Sequence, residues 1–245
     1  MRMPGQNRES GLASLVNRIR RKLSRSAGPH YKKSYSQCGE DLIVQFALET
    51  MRVAKPAYLD IGAHHPTLLN NTYIFYRAGA RGVNVEPDPA LIGRFHRARP
   101  ADVNLNCGIG PEEGTLELHV MSVSTLNTFS AEQARRYCEE HGFRIMRKVP
   151  VPVKRFDQVV SEYFRHAPDF VSLDAEGVDL PILRSIDFGK YRPRVVCVET
   201  LTYSAGGGGR KVEEIDVLMR GAGYMRYADT FINSIYVDEQ EWKRR

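Results

Sequence analysis

From residue 57 to the end of the 245-residue chain, short apolar runs rich in β-branched residues alternate with segments of helical patterning. That alternation constrains the fold more than any other feature, because strands separated by helices run parallel in one sheet covered on both faces. Strands are expected at 57–62, 82–89, 102–110, 169–177 and 194–200, and helices at 70–80, 91–99, about 157–165, 178–188 and 212–223. Pro181 falls in the first turn of its helix, where a missing N–H costs nothing. The stretches YMRYAD and NSIYVD near the C-terminus predict a closing antiparallel hairpin. Between these elements the pattern loosens. Residues 114–120 alternate like an exposed strand or hairpin partner, 131–141 read as a charged helix, and 147–156 as an extended, proline-bearing segment. An N-capped helix within SQCGEDLIVQFALET (36–50) leads into the domain. The expectation is a single α/β domain over residues 34–245, with a mostly parallel sheet and an antiparallel edge.

Charge separates residues 1–33 from the rest. They hold nine basic residues and one acid, a local charge of +8, which leaves −2 for residues 34–245 out of the total of +6. The body is therefore near neutral, and the basic balance does not imply a nucleic-acid partner. Leu12, Leu15, Val16, Ile19 and Leu23 recur at helical spacing among Arg18, Arg20, Arg21, Lys22 and Arg25. Such an extension reads either as a solvated tail or as a basic amphipathic helix resting on an anionic membrane surface. No apolar run is long enough to span a bilayer, and the N-terminus has no secretory h-region. Cys38, Cys107, Cys138 and Cys197 form no C-x-x-C pair, so neither a zinc site nor a disulfide scaffold is expected. The expected location is cytoplasmic, with peripheral contact at the inner membrane surface as the alternative for residues 1–33.

Ligands of such sheets bind beyond the carboxyl ends of the strands, beside the first strand. Three strand ends offer polar groups there: Asp60 and Gly62, Glu86, and the Asn106–Cys107–Gly108 turn. Glu86 lies 24 residues past Gly62, where an acid can accept hydrogen bonds from two ribose hydroxyls. Neither G-x-G-x-x-G nor G-x-x-x-x-G-K-[ST] is present, so the backbone cradle of a pyrophosphate is missing. A ribose-bearing ligand with positive charge and no phosphate fits best. S-adenosylmethionine has these properties, and Asp60 suits its cationic end, directly or through water.

Seven spaced motifs carry a resemblance to a known family: SQCGEDLI, YLDIGAHHP, NNTYIFY, GVNVEPDP, NCGIG, VSLDAEGVDLPILRSI and VVCVE. In this order they resemble the FkbM-type S-adenosylmethionine-dependent methyltransferases, over about residues 34–237. The resemblance implies a class I methyltransferase (Rossmann-like) three-layer sandwich with strand order 3-2-1-4-5-7-6, and O-methylation of sugars, glycans or natural products. It implies cofactor contacts from Asp60, Gly62, Glu86 and the Asn106–Gly108 turn, and places Asp174 and Glu176 beside the methyl-transfer centre. Residues 1–33 lie outside it.

A hydroxyl acceptor must lose its proton as the methyl arrives. His64 or His65 could take it as a base. Alternatively, Asp174 and Glu199, at neighbouring strand ends, could hold Mg²⁺ against the oxygen. Asn71 reads as a helix-start residue at the pocket rim, and Gly206–Gly209 as an acceptor lid or a plain connection. His96, His119, His141 and His166 are expected at the surface. Competing functions are N-methylation of a protein or small amine, and a non-catalytic module retaining the fold.

Overall fold

A computed structural model of the protein describes residues 32–175, 177–201 and 209–245. The expected basic helix in residues 1–33, most of the Gly206–Gly209 loop and Glu176 lie outside the described residues. Residues Ser34–Arg245 pack as one compact unit.

Seven strands form the main sheet: β1 (Tyr58–Ile61), β2 (Gly82–Val85), β3 (Val103–Leu105), β7 (Phe170–Leu173), β8 (Val195–Glu199), β9 (Tyr224–Asp229) and β10 (Asn233–Asp238). Their spatial order is β3-β2-β1-β7-β8-β10-β9. Every neighbouring pair from β3 to β8 is parallel, and β10 runs antiparallel to both β8 and β9. Counted along this sheet, the order is the 3-2-1-4-5-7-6 of class I methyltransferases. The four residues of β1 and of β7 are all buried, as strands covered on both faces must be.

Side-chain alternation sorts the core into two layers. Leu59 and Ile61 point to one face, against Val159 and Val160 of a helix at Phe156–Tyr163, Ile182 and Leu183 of one at Asp179–Ser185, and Met219 of one at Glu213–Gly221. Tyr58 points to the other face, against Val44 and Leu48 of helix α1 (Glu40–Thr50) and Phe75 of helix α2 (Tyr73–Arg77). Helix α3 (Pro89–Ala98) covers the β1–β2 end through Ile92 and Phe95. Asp88 caps it by accepting from the Ala90 N–H at 2.9 Å, with Pro89 in the first turn.

The expected strand 102–110 is two strands. After β3 the chain leaves the main sheet at Asn106 and Cys107. It then forms β4 (Gly108–Gly110), which joins β5 (Gly114–Met121) and β6 (Ile145–Arg155) in a separate three-stranded sheet ordered β4-β6-β5. The break has a local cause. The Asn106 amide donates to the carbonyls of Glu86 and Pro87, both at 3.0 Å, and turns the chain outward. Helix α4 (Ala131–His141) stands between β5 and β6, capped by Ser130, whose hydroxyl accepts from the Gln133 N–H at 3.1 Å. His119, expected at the surface, is buried on β5, and its Nδ1 has no hydrogen-bond partner.

The least expected feature of the fold is a buried guanidinium. Arg99, fully buried at the end of α3, donates to Asp102 at 2.8 Å, to Tyr58 at 2.9 Å, to Thr72 at 3.0 Å and to Asn70 at 3.2 Å. Asp102 in turn accepts from the Tyr58 hydroxyl, the Asn84 amide and the Gly82 N–H. One charged pair thus ties β1, β2, α2 and the approach to β3. Removing one member of such a pair strands the other without solvent, at a cost of about 3–5 kcal/mol. Arg99→Met should lower the unfolding free energy by about that amount in urea titrations with little change in m-value; a loss below about 1 kcal/mol would show that water replaces the guanidinium.

Candidate active site

A cleft of about 580 Å³ opens beyond the carboxyl ends of β1, β2, β7 and β8. Its size suits a small organic ligand. Among the described residues that line it there are four carboxylates (Asp60, Glu86, Asp174 and Glu199) and neither a lysine nor an arginine.

Asp60 ends β1 with its carboxylate turned back into the protein. Its Oδ2 accepts from the Thr72 hydroxyl at 2.7 Å and the Asn70 amide at 2.9 Å, and Ser172 adds a further hydrogen bond. Burial raises its pKa, against the opposing pull of Arg99 and of these donors. Asp60 is therefore met by protein donors, and its first task is to shape the 62–72 loop. Asn70, not Asn71, starts the following helix: its Oδ1 accepts from the N–H groups of Thr72 at 3.0 Å and Tyr73 at 2.8 Å. Asn71 instead reaches the Ser172 hydroxyl at 3.1 Å and lines the cleft.

Gly62 has a backbone φ of +73°, and a Cβ there would lie 1.8 Å from the carbonyl oxygen of Asp174. The residue type is thus set by the close passage of β7's end, as well as by the turn. His64 follows with φ +51°. Among the described residues, three of the four non-glycine positions with left-handed backbone, His64, Leu69 and Phe231, line this cleft. Such strained conformations gather where the surrounding structure must aim side chains at a ligand.

Glu86, 4% exposed, ends β2. Its Oε2 accepts from the His64 N–H at 2.9 Å and its Oε1 from the Asp88 N–H at 2.8 Å. Each oxygen keeps a lone pair for hydroxyl donors. Burial outweighs both N–H groups and lifts the carboxyl to about 7.

The two histidines part company. The His64 ring pairs Nε2 with the Ser124 hydroxyl at 3.0 Å, on the Glu86 side of the cleft, and burial lowers its pKa. The His65 Nδ1 accepts from the N–H groups of Thr67 and Leu68, at 3.2 and 3.0 Å. That makes it a turn cap outside the cleft lining. Of the Asn106–Cys107–Gly108 turn, only Gly108 lines the cleft. Asn106 fastens the Glu86–Pro87 backbone, and Cys107 lies in the core with its thiol pushed up to about 11 by burial.

Asp174 and Glu199 do come together. A hydrogen bond joins them, and Glu199 is pushed up to about 10 by burial and by the charges of Asp174 and Asp179. Burial and these neighbouring carboxylates therefore favour the protonated form of Glu199. Among the described residues no group of three or more His, Cys, Asp or Glu side chains converges as a metal site.

The opposite wall comes from the second sheet and was not anticipated from the sequence. Ile109 of β4, Leu118 of β5, Leu126 and Phe129 line the cleft from this side. Phe129 presses on Gly108, where a Cβ would lie 2.8 Å from the ring. Asp88 fixes this wall: it accepts from the Asn127 amide at 3.3 Å and from Arg147 at 2.6 Å. The only sequence signal was Gly108 itself, in a turn that the strand pattern runs through.

The profile of the methyltransferase FkbM domain matches residues 60–225, more than half of the chain. The chain belongs to this family. No curated protein matches it. Among solved structures, a TehB-like SAM-dependent methyltransferase from Corynebacterium glutamicum is 11% identical, with 94% of this chain and 100% of that chain covered and a TM-score of 0.43. The 1,6-didemethyltoxoflavin-N1-methyltransferase of Burkholderia thailandensis, solved with 1,6-didemethyltoxoflavin and S-adenosylhomocysteine, is also 11% identical, with 97% and 93% covered and a TM-score of 0.42. The magnesium protoporphyrin IX methyltransferase of Synechocystis PCC 6803, solved with SAM, is 9% identical, with 80% and 76% covered and a TM-score of 0.40.

The carbonyl of Asp174 leaves no room beside Gly62, and an alanine would also carry the unfavourable positive φ. Gly62→Ala should destabilise the fold by roughly 3 kcal/mol or more, because backbone and not a flexible side chain must yield. Thermal and urea unfolding measure this, and near-wild-type stability would mean that the β1 and β7 ends can separate.

Proposed function

We propose that this member of the FkbM methyltransferase family uses S-adenosylmethionine and methylates a hydroxyl of a sugar, glycan or natural-product acceptor. The observation that carries the cofactor reading is the charge of the cleft: four carboxylates line it, with no lysine or arginine among the described lining residues. A dinucleotide or nucleotide phosphate would meet repulsion there, whereas a sulfonium and an ammonium meet attraction. Glu86 offers two lone pairs to adjacent ribose hydroxyls, and Ile109, Leu118, Leu126 and Phe129 supply an apolar lining suited to a purine. The residues present fit the group. S-adenosylmethionine, when bound, supplies an electrophilic methyl group on a positively charged sulfur.

The chain's own work is to position and to move a proton. Asp174, the exposed member of the carboxyl pair, stands at the rim where β7 ends. It takes the acceptor's proton as the hydroxyl oxygen attacks, and Glu199 holds the neighbouring proton that keeps the two acids from repelling each other. His64 is held toward Glu86 and Ser124, and His65 is occupied as a cap, so the base assignment favours Asp174 over both. No step is routed through Mg²⁺.

Cofactor binding should need ionised Glu86, because only the carboxylate accepts from two hydroxyls. A free-protein pKa of about 7 gives the sign. Affinity for S-adenosylmethionine should be full above pH 8 and fall by up to about tenfold per unit below pH 7. Calorimetry between pH 6 and 8 tests this. Glu86→Gln should bind roughly ten- to hundredfold more weakly, from the loss of charge-assisted hydrogen bonds, with the pH dependence flattened. An unchanged affinity in Glu86→Gln would remove Glu86 from the ribose site.

Asp174→Asn should cut methyl-transfer turnover by about 10²–10⁴-fold, the usual size of a general-base effect, while cofactor affinity changes little. Excess chelator should leave wild-type turnover intact. Loss of activity on chelation, restored by added Mg²⁺, would return Asp174 and Glu199 to the role of metal ligands.

A further inference from the structure

A second cavity, of about 330 Å³, lies behind the first, between α4 and the helix at Glu213–Gly221. Glu199 and Leu201 line both cavities. One wall is polar and belongs to α4: Glu132, Gln133, Arg136, Tyr137, Glu140 and His141, with Arg136 paired to Glu140 at 3.3 Å. The opposite wall is aliphatic: Leu180, Val212 and Ile215. His141, expected as a surface residue, is thus a cavity residue.

The polar wall is built to a fixed geometry. Gln133 donates from Nε2 to the Tyr137 hydroxyl at 2.7 Å, and its Oε1 accepts from Thr128 at 3.0 Å. Gly177, with φ +93°, lets that amide approach, since a Cβ there would lie 3.0 Å from Gln133 Oε1. Asp179 sits beneath, 6% exposed, and accepts from the N–H groups of Ala175 at 2.7 Å and Gly177 at 3.2 Å. It thereby holds the backbone that follows Asp174. Planar amide, guanidinium and carboxyl groups facing an aliphatic wall complement a ring with hydroxyls along its edge and C–H groups on its face.

We infer that this second cavity is the acceptor pocket, that it takes a polyhydroxylated ring, and that the methyl crosses from the first cleft to it beside Glu199, which lines both cavities and is hydrogen-bonded to Asp174 of the first. The inference rests on the cofactor occupying the first cleft. Gln133 and Arg136 act here as specificity-determining residues that read the ring's hydroxyls, while Leu180, Val212 and Ile215 support its C–H face.

The two cavities carry separate methyl-bearing side chains, which makes the inference testable without knowing the natural acceptor. Full-length protein labelled at Ile, Leu and Val methyls would be titrated by NMR, first with S-adenosylhomocysteine and then with methyl glycosides of glucose, galactose, mannose, rhamnose and N-acetylglucosamine. S-adenosylhomocysteine should shift Ile109, Leu118 and Leu126. At least one glycoside should then shift Leu180, Val212 and Ile215 at millimolar concentration. Gln133→Leu and the exposed-side variant Arg136→Ala should each weaken that second response at least fivefold and leave the first unchanged. Silence of the second set toward every glycoside, or shifts confined to the first set, would overturn the acceptor pocket. Silence of Ile109, Leu118 and Leu126 toward S-adenosylhomocysteine would instead overturn the cofactor reading, on resonances independent of the glycoside response.

Discussion

A single desolvated ion pair, Arg99 with Asp102, underlies the arrangement of the cleft. Both side chains are fully buried. A buried charge is tolerated only with its hydrogen-bonding capacity used, and Arg99 achieves this with four side-chain partners from β1, α2 and the approaches to them. The same partners, Asn70 and Thr72, hold Asp60. The guanidinium therefore acts on the ligand site from behind. It fixes the residues that fix Asp60, and through Asn70 it sets where α2 begins and which side chain, Asn71, is left to face the cleft.

The Glu86 tip is stabilised by a different device, the attachment of the second sheet. Asp88 links the β2 end to Asn127 and Arg147, and Asn106 holds the Glu86 and Pro87 carbonyls. These contacts make the β4-β6-β5 sheet a wall of the cleft instead of an appendage. They also explain why two backbone N–H groups can be aimed at one carboxylate: the turn that carries Asp88 is pinned on both sides. On the far side, the motif SQCGED works in the same way. Glu40 accepts from Thr230 and Asn233, which anchors the β9–β10 turn that brings Phe231 to the cleft.

What was legible in the sequence follows from this division. Gly62 and Glu86 could be placed because a strand tip, a turn and a fixed spacing are local facts, and the parallel order followed from the alternation of elements. Arg99 could not be placed. Nothing in RFHRARP separates a buried arginine from three solvated basic neighbours, and its burial is decided by Tyr58 of β1 and by Asp102 in the bend before β3. The second sheet was hidden for a related reason. DVNLNCGIG keeps an apolar rhythm across the break, and the break comes from one side chain, Asn106, finding carbonyls on β2. His65 and Asn71 were misjudged in role because the capping of turns depends on which of two adjacent side chains the backbone presents inward. Asp174 and Glu199 were correctly placed side by side, but a sequence does not state whether two carboxyls meet over a metal or over a proton.

The four carboxylates of the cleft are offset in three different ways, and this decides what each can offer a ligand. Asp60 is offset by Arg99 and is bonded to Asn70, Thr72 and Ser172, so it shapes the loop more than it contacts a ligand. Glu86 is offset by two N–H groups, one per oxygen, and retains acceptor capacity that two adjacent hydroxyls can fill. Glu199 is turned toward its protonated form by burial and by Asp174 and Asp179, and it is hydrogen-bonded to Asp174, which is exposed at the rim. A cation placed among them would be attracted both by Glu86 and by the carboxyl pair, since no lysine or arginine lines the described cleft to oppose it. The positive charge is lost when the methyl leaves, so the same field that gathers the cationic cofactor holds the neutral product less tightly.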